Sequence, residues 1–262
     1  MKKVLALIFA ALMMVGCLAG CGNNADKTDV EYIKDKGTLV VGMTDFAPMD
    51  YKDANGNWIG FDADLAKGFA KELGVEVQFV EITWGQKANE LKTKNIDIVW
   101  NGMTLTDDVK AQMDCSVPYC RNAQVVVMKK DKAANYKDAA SMKDLQFAVE
   151  NGSAGEDMAT ENGFKITEVD KQAKALMEVA SGTCDAAIID MLMAGAMIGE
   201  GTDYADLTYS IELNSEEYGI GMRQGSDLVE KLNTYLKAAS ADGTIAKLAE
   251  TYKISDNVME IK

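Results

Sequence analysis

The sequence predicts an α/β protein of two lobes, each a mostly parallel sheet flanked by helices. Three observations carry this reading. Short apolar strands alternate with helical segments, the pattern of parallel sheets covered by helices. The alternation runs from Thr38 to Trp100 and again from Phe147 to Asp190. The 262 residues, 48% apolar and 26% charged, suffice for two ordinary domain cores.

Each element follows from its residues. Thr38-Leu39-Val40-Val41, between Gly37 and Gly42, reads as a strand. Phe61, Leu65, Phe69 and Leu73 recur on one face of a helix. Asp62 and Asp64 in its first turn and Lys71 in its last complement the macrodipole, and Gly74 stops it. Val75, Val77 and Phe79 alternate as a strand, and Leu91 belongs to a second helix. Ile96 to Trp100 forms a third strand, leading into Asn101-Gly102-Met103-Thr104. In the second unit, Phe147-Ala148-Val149 is a strand and Ser153 opens a helix, with Glu156 at capping-box spacing. Leu176, Met177 and Ala180 line another helix, closed by Gly182. Ala186 to Ile189 is a strand ending on Asp190. The stretch from Asp227 to Tyr252 is helical, broken near Asp242-Gly243. Ligands of open α/β sheets sit at the C-terminal ends of strands. Asn101 to Thr104 and Asp190 therefore flank a predicted cleft between the lobes.

Composition excludes several functions. There are 27 basic against 41 acidic residues, a net charge of -14, which repels nucleic acid. Histidine is absent, which removes Ser-His-Asp and Cys-His mechanisms and His-ligated metals. Cys115, Cys120 and Cys184 contain no Cys-x-x-Cys pair. They read as small buried residues, with a Cys115–Cys120 bridge left open. No catalytic residue, cofactor or metal is predicted.

The first residues read as an address. A basic Met1-Lys2-Lys3 precedes twelve apolar residues, Val4 to Val15. That run is too short to span a bilayer and fits a secretion signal. Leu18-Ala19-Gly20-Cys21 resembles the bacterial lipobox, which implies removal of residues 1–20 and a lipid on Cys21. The polar residues 21–36 are expected to be a flexible tether. The protein is then exported and lipid-anchored to the outer face of the cell membrane, touching it through that lipid only.

Five further segments carry a family resemblance. They are Gly60-Phe61-Asp62-Ala63-Asp64-Leu65-Ala66, Gly102-Met103-Thr104-Leu105-Thr106, Ser116-Val117-Pro118-Tyr119, Asp185-Ala186-Ala187-Ile188-Ile189-Asp190 and Ala241-Asp242-Gly243-Thr244. The chain resembles the polar amino-acid solute-binding proteins of ABC importers, which have the type II periplasmic-binding fold. The resemblance implies one lobe of residues 37–124 plus 221–262 and a second of 125–220. Crossings would fall near Val125-Val126-Val127 and Tyr218-Gly219-Ile220. An amino acid or related amine would bind between the lobes, which close over it by a hinge and hand it to a permease with its ATPase.

The same resemblance assigns site positions. Phe46 and Trp84 are aromatic lining residues, and an aromatic face also attracts an ammonium group. Gly102, through its carbonyl, and Thr104, through its hydroxyl, would meet the ligand's ammonium group, which Asp190 would neutralise. Ser153 and Ala154 belong to the turn whose free N–H groups would receive a carboxylate. One position departs from the pattern. Val109 stands where amino-acid binders of the family usually carry an arginine, whose planar fork grips the α-carboxylate. Arg121 and Arg223, the two arginines of the chain, match positions outside the pocket. The departure suggests a ligand with an amine and either no α-carboxylate or one held differently. A standard amino acid held by backbone N–H groups is the alternative. On the same fold, a ligand sensor would need a separate signalling partner. A dehydratase would need cationic groups for two carboxylates, which a pocket without arginine does not provide.

Overall fold

The computed structural model describes residues 27–261. The signal sequence and Cys21 lie outside them.

Asp29–Lys36 form helix α1. Thr38–Met43 (β1), Tyr51–Lys52 (β2), Trp58–Ile59 (β3), Phe61–Leu73 (α2), Glu76–Glu81 (β4), Lys87–Lys92 (α3), Ile98–Thr104 (β5) and Asp107–Gln112 (α4) follow. Asp114–Cys115 (β6) and Cys120–Asn122 (β7) lead to Gln124–Lys129 (β8) and Lys130–Ala133 (α5). The middle of the chain holds Gln146–Glu150 (β9), Ala154–Glu161 (α6), Lys165–Val169 (β10), Gln172–Ser181 (α7), Ala186–Asp190 (β11) and Met191–Met197 (α8). Leu207–Glu212 (β12), Glu216–Met222 (β13), Leu228–Ala241 (α9) and Thr244–Thr251 (α10) complete it.

Two large sheets result, besides a two-stranded pairing of β2 with β3. The first has the order β4-β1-β5-β13-β6, with β7 also on β13. The second has the order β10-β9-β11-β8-β12. Each has a parallel half of three strands, β4-β1-β5 and β10-β9-β11, extended by antiparallel strands. The chain passes between sheets at Ala123 and at Leu213–Ser215. The passages touch each other, Leu213 N–H donating to Gln124 O at 2.8 Å and Gln124 N–H to Asn214 Oδ1 at 2.7 Å. Both crossings lie a few residues earlier than expected. Val125 to Val127 are buried in the second sheet against β11 and β12. Tyr218 and Gly219 already pair with β5 in the first sheet.

The predicted helix face Phe61, Leu65, Phe69 and Leu73 is buried, and Gly74 caps α2 in the left-handed region. Phe69 packs on Trp100 and on Tyr235 of α9. In the second lobe, Phe147 stacks on Phe164 at 4.3 Å. Three further expectations are corrected. First, residues 29–36 of the expected tether are a packed helix. Thr28 and Glu31 close a capping box, and Val30 and Ile33 are buried. Asp29 pairs with Arg223 at 2.9 Å. Second, Met177 is exposed, and the buried face of α7 is Ala175, Leu176 and Val179, which turns the helix by one residue from the predicted side. Third, Asn101 to Thr104 do not follow a strand but continue β5 to its end. Cys115, Cys120 and Cys184 are free thiols.

Candidate ligand-binding cleft

A narrow cleft lies between the two sheets. It brings together every predicted ligand-contact residue: Phe46, Trp84, Gly102 and Thr104 from the first lobe, and Ser153, Ala154 and Asp190 from the second. Val109 lines it as well.

Asp190 ends β11 and is buried. Its Oδ1 accepts hydrogen bonds from Asn122 Nδ2 at 2.5 Å, Tyr218 OH at 2.6 Å and Gln124 Nε2 at 3.1 Å. Among the described residues its Oδ2 accepts only from Gln172 Nε2 and retains a free lone pair. All four donors are neutral. No ion pair among the described residues involves Asp190. Burial, and then the charge of Glu216, push its carboxyl up to about 7, against the pull of its donors. Asp190 also precedes helix α8, but its side chain makes no cap bond there.

The first-lobe wall rests on a buried network. Gly102 has φ +52°, and a Cβ there would stand 2.6 Å from the Phe46 ring. Its N–H donates to Asp62 Oδ2 at 2.7 Å, which also accepts from Tyr119 OH at 2.7 Å. Asp62, expected as an ordinary first-turn acid, is fully buried and holds this wall, with burial raising its carboxyl to about 7. Asn101 donates to Asp50 at 2.7 Å and accepts from Thr44 N–H and hydroxyl. Thr104 Oγ1 donates to Glu216 at 3.0 Å, leaving its oxygen able to accept. Phe46 meets Tyr218 edge-on at 6.4 Å.

The opposite end of the cleft can take an anion. Ser153 caps α6 by accepting from Glu156 N–H at 3.2 Å. Glu156 answers to Gly152 N–H at 2.6 Å rather than to Ser153, so the capping box is displaced by one residue. Ser153 N–H is spent on Glu150 O at 3.2 Å, while no intramolecular acceptor is found for Ala154 and Gly155 N–H among the described residues. Val109 brings no charge. It packs with Trp84, Met103 and Met113. A cation comes instead from Lys87, which the sequence did not single out. Its ammonium group donates to Gly152 O at 2.9 Å and stands 4.7 Å over the Trp84 ring. Burial pulls Lys87 down to about 8, opposed by Glu150, Asp157 and Glu156.

The lobes touch around this point. Gly152 has φ +73°, and a Cβ on it would stand 2.4 Å from Gly85 Cα. Lys171 of the second lobe pairs with Glu81 of the first. Glu150 and Gln172 also line the cleft. For Glu150 a signal was present, because Phe147-Ala148-Val149-Glu150 ends an apolar strand on a carboxylate just as Ile188-Ile189-Asp190 does. Lys87 offered none, since one lysine on a polar helix looks like any other.

Residues 39–255 match the family profile of bacterial extracellular solute-binding proteins, family 3. The arginine-binding extracellular protein ArtP of Bacillus subtilis (strain 168) is 31% identical over 262 residues, covering 96% of this chain and 98% of that protein. The crystal structure of a mutant of ArgBP from T. maritima superposes with a TM-score of 0.81 at 35% identity, covering 86% of this chain and 99% of that one. An ancestral amino acid-binding protein, AncCDT-1, a precursor of cyclohexadienyl dehydratase, gives 0.78 at 36% identity, covering 85% and 98%. Among the described residues no helix is long and apolar enough to cross a membrane.

Proposed function

We propose that this chain, which belongs to the bacterial extracellular solute-binding proteins of family 3, captures an amino acid in the cleft between its sheets and delivers it to the permease of an ABC importer. The observation that supports this most is Asp190. A buried carboxylate with four neutral donors and no protein cation is incomplete until a cationic group arrives. A ligand ammonium group on its free Oδ2 lone pair, with the Thr104 hydroxyl nearby, completes it. The ligand's carboxylate goes to the Ala154 and Gly155 N–H groups at the start of α6, with Lys87 beside them. Lys87 thus takes over part of the task that an arginine at position 109 would perform. This favours a standard amino acid over a ligand without a carboxylate. Phe46 and Trp84 exclude water from both sides.

Binding and release, not turnover, is the reading. The similar proteins named above are binding proteins, including the ancestor of an enzyme. The two hydrogen-bonded crossings at Ala123 and Leu213–Ser215 form the hinge. Export through the signal in residues 1–20 and a lipid on Cys21 would hold the protein at the outer face of the membrane.

The test is a thermal-shift screen of purified protein, stripped of bound ligand by unfolding and refolding. Standard amino acids run beside their amides and decarboxylated amines. A ligand at about 100 times its Kd stabilises the fold by about 2.7 kcal/mol. A shift with a standard amino acid that its amide does not give is expected. A shift with amines alone, or with none of the panel, would overturn this reading.

A further inference from the structure

Glu150 stands at the C-terminal end of β9, beside Asp190 on the neighbouring parallel strand β11. Its side chain is 2% exposed and faces the cleft. Its Oε1 has no hydrogen-bond partner among the described residues. Lys87 lines the same cleft, but its ammonium group is directed to the Gly152 and Trp84 carbonyls and the Trp84 ring, and it forms no ion pair with Glu150. Around the cleft three carboxyl groups, Glu150, Asp157 and Asp190, thus face one ammonium group. An α-amino acid with a neutral side chain adds no net charge and leaves Glu150 unanswered.

We propose that Glu150 is a specificity-determining residue that receives a second cationic nitrogen group of the ligand, so that the cleft selects a dibasic amino acid. This rests on the amino-acid reading above, which places the α-ammonium group on Asp190. A guanidinium or side-chain ammonium group supplies N–H donors to the orphaned Oε1, and its charge balances the second carboxylate. Trp84, on the facing first-lobe wall of the cleft, is the aromatic that such a cation could meet. The charged and polar neighbours that set the state of Glu150 are Lys87 from α3, Asp190 from β11, and Asp170 and Gln172 at the start of α7. Burial and the Asp190 charge raise its carboxyl to about 8, so the empty site holds a proton that a cationic ligand displaces.

Isothermal titration with L-arginine, L-lysine, L-citrulline and L-glutamine, on wild type and Glu150→Gln, tests this. Citrulline keeps the shape of arginine without its charge. Wild type is expected to prefer arginine or lysine over the neutral ligands by about 10- to 100-fold, the worth of hydrogen bonds to a charged group. Glu150→Gln is expected to bring that ratio to within a few fold while leaving affinity for neutral ligands largely in place. The glutamine is nearly isosteric, and the retained neutral-ligand binding reports that the variant folds. Wild type binding neutral and basic amino acids alike, or a ratio unchanged by Glu150→Gln, overturns the inference and leaves the amino-acid reading standing. Binding of no amino acid at all would overturn both.

Discussion

Asp190→Asn separates binding from stability in one substitution. In the wild type, Oδ1 takes three donors and Oδ2 takes Gln172. An asparagine that keeps its oxygen at the Oδ1 place retains the first three bonds. Its nitrogen then faces the Gln172 amide nitrogen, donor against donor. Gln172 cannot turn over without losing the bond its Oε1 accepts from Asp190 N–H at 2.9 Å. That conflict costs about 1–2 kcal/mol. Against it stands the cost of ionising the wild-type carboxyl. Raised from 3.8 to about 7, it costs roughly 4 kcal/mol above pH 7, at about 1.4 kcal/mol per pH unit. The empty variant is therefore expected to be more stable at pH 8 by about 2–3 kcal/mol, a Tm gain of roughly 4–10 °C for a chain of this size. Ligand binding moves the opposite way. Removing one partner of a buried charge pair costs about 3–5 kcal/mol, a Kd increase of about 100- to 1,000-fold or more. Calorimetric melting at pH 8 and titration with L-arginine measure both. A Tm that drops at pH 8, or a Kd change below about tenfold, would refute the assignment of Asp190 as a ligand-completed carboxylate.

Three other outcomes follow from the same geometry. Glu150, Asp190 and Asp62 keep protons in the fold, at about 8, 7 and 7, that the unfolded chain releases near pH 4. Stability of the empty protein should fall as pH rises from about 5 to 8, by up to about 1.4 kcal/mol per pH unit per group. Lys87, lowered to about 8, acts in the reverse sense and restores stability between pH 8 and about 10.5. A flat melting profile from pH 5 to 8 contradicts this. Gly152→Ala combines φ +73° with a Cβ 2.4 Å from Gly85 Cα, so it should hold the lobes apart. Affinity drops by about 10- to 100-fold, and small-angle scattering with saturating ligand shows a larger radius than wild type. Val109→Arg puts a fork into the cleft at the cost of crowding Trp84, Met103 and Met113. Stability falls by about 1–3 kcal/mol, while the preference for L-arginine over its amide increases about tenfold or more; equal gains for both would show that the new side chain does not reach the carboxylate.

Much of this molecule is legible in its local patterns. Apolar runs mark β1 after Gly37 and β11 up to Asp190, the four-residue spacing of Phe61 to Leu73 marks α2, and Gly74 and Gly182 end helices where only the left-handed conformation continues the chain. These features are local, so a linear reading recovers them. The apolar strand ending on Asp190 is equally local, and it pointed to a buried cleft carboxylate that has no protein cation among the described residues. Helix α1 was legible too, in Thr28 and Glu31 at capping-box spacing and Gly37 beyond, but the polar composition around it outweighed that signal.

What only the tertiary structure decided is which side chains share a volume. Lys87 reaches Gly152 across 65 residues of sequence, and Asp62 reaches Gly102 across 40. No periodicity encodes such pairs, because the first arises from how one lobe packs against the other and the second from how α2 packs on β5 within the first lobe. The same holds for charge. From its sequence neighbourhood Asp62 is a surface acid of a first turn; in the fold it is sealed beneath Gly102 and keeps its proton near neutrality. Burial, which sets the free energy of every charge in the cleft, is a property of the assembled lobes.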